Sequence, residues 1–171
     1  HTAEALYMGI AHDTGVFQYS NTSPKTMQIA GSLIAKGINF SQIVDNTFYK
    51  KTYIQNQILG RALVESILLL DGRIIVGRVR QKDMEFYGAI PADLDGIVSQ
   101  LRVTDGVEVA IFLYETGNHQ YKVSLRSNGP VDVSAVCAYF GGGGHVKAAG
   151  CTMYGTVYDV INNLTLHIEK Q

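Results

Sequence analysis

The sequence predicts an α/β fold, a helical N-terminal part followed by a mixed sheet backed by helices. Three observations carry this. Up to Leu63 the apolar residues recur mostly at helical spacing. After Val64 they form short runs in pairs around turn residues, first at Asp71-Gly72 and again at Gly117-Asn118, a hairpin signature. Helical patterns return between and after these pairs, and strands arriving as hairpins between helices favour a mixed sheet with helices against it.

Thr2 to Ala11 reads as a helix with Ala5, Leu6, Met8 and Ile10 on an apolar face that needs a partner, and Asp13-Thr14-Gly15 ends it. The exposed face suggests a piece of a longer protein and also permits a homodimer. Val16 to Tyr19 is expected to be a short extended piece. Ser23-Pro24 caps a helix from Lys25 to Ala35, closed by Gly37. Asn39 or Ser41 opens a short helix through Phe48. Thr52 to Leu63 is a further helix, with no clear partner pattern, that would bridge two domains. The expected division is therefore residues 1–50, a linker helix over 51–63, and residues 64–171.

In the last part, Ile67-Leu70 and Ile74-Gly77 form the first hairpin. Helices follow near Lys82–Tyr87 and Pro91–Leu101. Val107–Tyr114 and Gln120–Leu125 form the second strand pair, and Asp132–Phe140 is a helix leading into four glycines. Cys151–Tyr154 is a short strand and Thr156–Ile168 a closing helix.

Of 171 residues, 46% are hydrophobic and 17% charged, enough apolar material for a real core. No apolar run reaches membrane-spanning length. The formal net charge of −1 argues against holding long nucleic acid by a broad electrostatic field. A small phosphorylated ligand held by a few local groups fits that balance. The two cysteines, Cys137 and Cys151, lack metal-like spacing and read as free buried thiols of a reducing, cytoplasmic setting.

The most informative stretch is Phe140-Gly141-Gly142-Gly143-Gly144-His145, followed by Val146-Lys147-Ala148-Ala149-Gly150. Consecutive glycines order poorly but let a backbone approach a ligand closely, and their N–H groups suit a phosphate. A flexible turn, or a loop that packs a helix on a sheet, is the plainer alternative. Two further features matter. Asp13 follows an apolar helix, where a carboxylate is either a turn residue or a metal ligand. Arg126 ends a strand before Ser127 and Asn128, where a guanidinium can hold a phosphate bidentately or simply be solvated.

These features, in this order, resemble one family. Ile10-Ala11-His12-Asp13-Thr14-Gly15-Val16-Phe17, with Ser20-Asn21-Thr22, is similar to the last motif of the DHH-type phosphoesterases. Ser124-Leu125-Arg126-Ser127, with Gly141-Gly142-Gly143-Gly144-His145, resembles their DHH-associated C-terminal domain. The similarity extends to the bifunctional oligoribonucleases and 3′-phosphoadenosine-5′-phosphate phosphatases, and to cyclic dinucleotide phosphodiesterases. The resemblance implies that residues 1–50 are the helical tail of a truncated catalytic domain and 64–171 a substrate-binding domain. It implies a metal-dependent hydrolase with a two-metal centre, usually of manganese, in which Asp13 is a metal ligand. Arg126, Ser127, Gly141, Gly142, Gly143, Gly144 and His145 would hold the substrate, a nucleotide or short oligonucleotide.

The departure from the family is the absence of Asp-His-His and of a strand-end Asp-x-Asp; Asp93 and Asp95 lie in the wrong part of the chain. One ligand does not hold two metals, so the chain by itself is expected to be catalytically silent. The alternative is a stand-alone module that binds nucleotides or RNA ends without catalysis.

Overall fold

The computed structural model describes residues 1–171 as two units, His1–Lys51 and Thr52–Gln171. The first unit is helical. Helix α1 (Thr2–Asp13) and α2 (Pro24–Ile34) are followed by α3 (Phe40–Val44), which runs into one π-helical turn over Asp45–Tyr49. Ser23 caps α2 by accepting the Thr26 N–H, with proline at the first turn. Tyr7, Ala11 and Ala30 form the small buried centre, with Phe17, Leu33, Ile34 and Phe48 packed around it. Leu6, Met8, Met27 and Ile29 are exposed. The extended piece expected at Val16–Tyr19 is instead a compact turn. Val16 and Phe17 take left-handed backbone conformations, with φ of 55° and 66°. The buried Thr14 hydroxyl fixes them by accepting the Phe17 N–H at 3.0 Å.

The second unit begins with α4 (Tyr53–Val64), capped by Thr52. Ile58 and Ala62 of this helix are fully buried with Ile75, Val79, Leu94 and Leu101. The helix expected to bridge two domains is thus a packed element of this unit. Strands β1 (Ile67–Leu69) and β2 (Ile74–Val79) make the antiparallel hairpin around Asp71-Gly72. Helix α5 (Gln81–Tyr87), a 3-10 turn (Pro91–Leu94) and α6 (Ile97–Arg102) cross to β3 (Val109–Gly117), which runs parallel to β2. The single helix expected over Pro91–Leu101 is broken because Asp95 is extended and Gly96 left-handed, φ 90°. Strand β4 (Gln120–Ser127), α7 (Val133–Tyr139), β5 (Gly143–His145), β6 (Ala148–Tyr154) and α8 (Val157–Glu169) complete the unit.

The six strands lie in the order β1-β2-β3-β4-β6-β5, a mixed sheet as the sequence predicts. Alternation divides their side chains between two faces. One face carries Ile111, Leu113, Val123, Leu125 and Ala149, and α7 and α8 cover it with Val133, Val136, Val160, Leu164 and Ile168. On the other face the apolar cluster of α4 and α6 packs on β2 and β3, through Ile75, Val79, Ala110 and Phe112. No helix of the chain is long and apolar enough to cross a membrane.

Candidate functional site on the open face of the sheet

Beyond β3, that second face is more open, with α6 reaching only as far as β4, and its residues are set by the strand register. Arg126 pairs with Ala148 from one side and His145 pairs with it from the other. Directly opposed residues of an antiparallel ladder point to the same face. Arg126 and His145 therefore stand in one row, two strand spacings or about 10 Å apart at the backbone, with only a methyl group between them. The next row is Ser124, Gly150 and Gly143, and the one after it Lys122 and Thr152. No carboxylate stands on this face of β4, β5 or β6. In a chain of net charge −1 this local excess of cations suits an anion. The Arg126 guanidinium is anchored through Nη1, which donates to the Leu125 carbonyl at 3.0 Å.

The glycine run is a turn and an edge strand rather than a free loop. Gly141 and Gly142 donate their N–H groups to the carbonyls of Ala138 and Cys137, at 3.0 and 2.8 Å. Those two donors close the end of α7, so the expected cradle of backbone N–H groups does not include them. Gly143 to His145 pair with β6 as strand β5. The reasons for glycine also differ along the run. A Cβ on Gly142 would lie 2.5 Å from the Cys151 Cβ, and one on Gly144 2.6 Å from the Ala149 Cα, contacts that real Cβ atoms essentially never make. A Cβ on Gly143 would meet nothing within 4 Å. The chain's own packing thus explains Gly142 and Gly144 but not Gly143, whose missing side chain leaves the open face smooth.

Ser127, expected beside Arg126 as a ligand contact, is placed differently. It is 4% exposed, belongs by alternation to the helix-covered face, and donates its hydroxyl to the Gly129 carbonyl at 3.2 Å. The same carbonyl accepts from the Lys147 ammonium. Asn128 is tied to the carbonyls of Arg102 and Val107, at 2.7 and 3.0 Å. Ser127 and Asn128 therefore hold the strand end that carries Arg126.

Cys137 and Cys151 are free and buried. Their mutual hydrogen bond and burial push the Cys137 thiol up, so it is no nucleophile at neutral pH.

In the first unit Asp13 ends α1, and Asn21 donates its side-chain amide to the Asp13 carboxylate and carbonyl, both at 3.1 Å. No group of three or more His, Cys, Asp or Glu is placed to hold a metal anywhere in the chain. The neighbouring His12 lies against the Phe48 ring, centroids 4.5 Å apart. Asp13 by itself does not fit a two-metal centre, which needs several donors.

Lys122, Ser124, Gly150 and Thr152 are members of the face that the motif reading does not single out as ligand contacts, although Ser124 and Gly150 lie within the motif stretches. Their signal is present: Gln120, Lys122, Ser124 and Arg126 alternate with Tyr121, Val123 and Leu125. Strand β6 also begins at Ala148, three residues before the expected Cys151, and so brings Ala148 and Gly150 into the site.

An α/β domain with helices over one sheet face and over β2 and β3 of the other, and an anion-suited surface on the remaining strands of that second face, is what these residues build. The chain belongs to the DHHA1 domain family, whose model matches residues 71–170. It is 31% identical over 158 residues to the bifunctional oligoribonuclease and PAP phosphatase NrnA of Thermus thermophilus, covering 92% of this chain and 46% of that protein. It is 28% identical to the protein of the same description from Bacillus subtilis, covering 89% of this chain and 47% of the relative. Among solved structures, an exopolyphosphatase-related protein from Bacteroides fragilis superposes with a TM-score of 0.90 at 27% identity, over 98% of this chain and 49% of the other. The chain spans about half the length of the relatives it matches.

Proposed function

We propose that Thr52–Gln171 is the substrate-holding part of a phosphoesterase acting on nucleotides or short oligonucleotides, with the phosphate held between Arg126 and His145. Gly143 carries this reading: nothing in the chain requires a glycine there, and its missing side chain leaves room for a ligand on the face. The names of the relatives support the substrate class, since they are oligoribonucleases and phosphatases of a nucleotide. In this reading the guanidinium pairs with two phosphate oxygens and the His145 imidazole donates to a third, which fixes the ester without itself cleaving it. Asp13 is proposed as one metal ligand of a manganese-dependent protein, and the reaction is proposed to be cytoplasmic.

Calorimetric titration with adenosine monophosphate tests the phosphate site. Arg126→Ala is expected to weaken binding by about 1.5–3 kcal/mol, the usual worth of a hydrogen bond to a charged group. Equal affinity of the variant and the parent chain would remove Arg126 from the site.

The chain alone is expected to show no phosphodiesterase or phosphatase turnover with manganese, because Asp13 lacks companion donors. The measurement is release of phosphate or mononucleotide above the blank. Turnover that a chelator and Asp13→Ala both abolish would overturn the expectation. A second reading is a binding module without catalysis. The two part on whether a longer protein carrying this sequence shows metal-dependent hydrolysis that Asp13→Ala removes.

A further inference from the structure

We propose that the free edge of β1 and the groove beside it form a docking site for an extended peptide segment of a partner protein. The segment pairs with β1 as a seventh strand and brings an acidic side chain to Arg78. The site lies at the opposite edge of the sheet from β5, and its groove is on the face that α7 and α8 cover. It is therefore separate from the phosphate surface and does not depend on the phosphoesterase reading.

Two independent observations point to the same ligand. The first is the edge itself. Strand β1 pairs only with β2, so its other side presents backbone groups with no strand beside them. Proteins usually guard such an edge with a charge, a proline or a bulge. Ser66-Ile67-Leu68-Leu69-Leu70 holds no charge and no proline, and its register with β2 runs without a shift. Ile67 and Leu68 alternate between the two faces and are 48% and 57% exposed, so an added strand would cover both. The other edge, Gly143-Gly144-His145 of β5, has no apolar side chain of this kind. Strand β1 is short, which limits the pairing to a few main-chain bonds and leaves selectivity to side chains.

The second observation is a groove of 330 Å³ against the same edge. Ile67 and Val76, paired across β1 and β2, line it with Val157 and Ile161 of α8, and the exposed Tyr158 stands beside them. A strand added to β1 directs every second side chain to this face. Glu65 and Arg78 complete the lining. Glu65 is already paired, with Arg61 at 2.5 Å and with Arg80 at 3.4 Å. Arg78, two residues beyond Val76 on β2, is half-buried and belongs to none of the chain's ion pairs. A guanidinium partly withdrawn from water gains most from a carboxylate, which it grips with two parallel hydrogen bonds. The groove therefore selects an apolar side chain and, two residues along on the same face, an acidic one. A second copy of this chain fits less well. Its β1 has the apolar side chains, but its Asp71 sits in the hairpin turn that leads back to β2, away from the edge.

The test titrates the chain, by calorimetry or anisotropy, with the acetylated peptide amide Thr-Val-Thr-Ile-Thr-Glu-Thr, whose Val, Ile and Glu share one face when extended. The comparison peptides carry Lys in place of Glu, or are N-methylated on one or the other set of alternate residues. The Glu peptide is expected to bind, and the Lys peptide to bind about tenfold or more weakly. One of the two methylated peptides is expected to lose about tenfold, because it cannot donate to the β1 edge. Arg78→Gln is expected to weaken the Glu peptide about tenfold and leave the Lys peptide within about twofold. Ile67→Lys places a guarding charge on the edge and is expected to abolish binding of the Glu peptide. Neither side chain is buried, and a melting curve of each variant checks that the fold is kept. No binding of the Glu peptide at about 1 mM overturns the proposal. So do equal affinities of the Glu and Lys peptides, full binding of both methylated peptides, or an Arg78→Gln chain that binds as the parent does. Sedimentation that shows a dimer dissolved by Ile67→Lys would give the edge to a second copy and overturn the proposal as well.

Discussion

Gly142→Val and Gly143→Val, one residue apart, are expected to fail in opposite ways. Gly142→Val should destabilise the second unit by about 3 kcal/mol, the upper end of what overpacking a well-filled site costs. Its Cβ would collide with the Gly150 carbonyl and lie 2.5 Å from the Cys151 Cβ and 2.7 Å from its Cα. Two of those three contacts are backbone, and β6 sits inside the sheet and does not move aside. Gly143→Val should leave stability nearly unchanged, because its side chain points into open space. It should instead abolish binding of adenosine monophosphate, since a branched side chain then stands beside His145 on the phosphate surface. Chemical denaturation and calorimetry on the two variants separate the effects. A loss of stability in Gly143→Val as large as in Gly142→Val would make Gly143 structural and take away the main support for the ligand face.

Asp83→Ala is expected to cost about 3 kcal/mol, as breaking a buried ion pair does when one partner is removed. Asp83 is 7% exposed, yet it carries a charge. It accepts the Arg80 backbone N–H at 3.2 Å and the Arg80 Nε at 2.6 Å, and lies 3.6 Å from the Arg61 Nε. Glu65 closes the cluster, 2.5 Å from Arg61 and 3.4 Å from Arg80. Helix α4 is thereby tied to the end of β2 and the start of α5. Burial pushes the Asp83 carboxyl up, but the hydrogen bonds and charge of Arg80, with Arg61 behind, overcome it and hold the group below its ordinary value. A carboxyl lowered in the folded state stabilises fully above its unfolded pKa, about 3.9, and loses that contribution as pH falls through the folded value. The stability difference between the parent chain and Asp83→Asn should therefore be constant from pH 7 down to about 5 and shrink below about 4. Denaturation at several pH values measures it. A difference that grows in acid would contradict the assignment.

Hydrogen-bond capping and turn chemistry made most of this fold readable. Ser23-Pro24, Thr52, Asp71-Gly72 and Asp132 act locally, and the elements they bound fall close to where the sequence places them. What the sequence hides is set by contacts distant along the chain. Val16 and Phe17 are β-branched and aromatic residues that favour extended backbone, but the buried Thr14 hydroxyl and packing against Tyr7 override that preference. The partners of α4 lie on a strand and helices that come later, so its buried side could not be recognised from its own pattern. In the site, Arg126 and His145 were legible as residue types suited to phosphate. That they share a row across Ala148 follows only from the register of three strands. The glycine run misled in one respect: four glycines suggest a loop, whereas two of them are dictated by contact with β6.

The parallel pairing of β2 with β3 also has a consequence for the order of folding. Ile74 meets Val109 only after the whole α5–α6 crossover has been traversed, whereas β1–β2 and β3–β4 close through short turns. The hairpins can thus form early at little entropic cost, while joining them must wait for the crossover to compact. Substitutions that weaken the interface of α6 with β3, such as Leu101→Ala, should slow refolding, because that packing draws the two hairpins together. Substitutions at the β5 edge should mainly speed unfolding. The edge strand β5, which carries His145, is then added to a sheet whose centre is already in place.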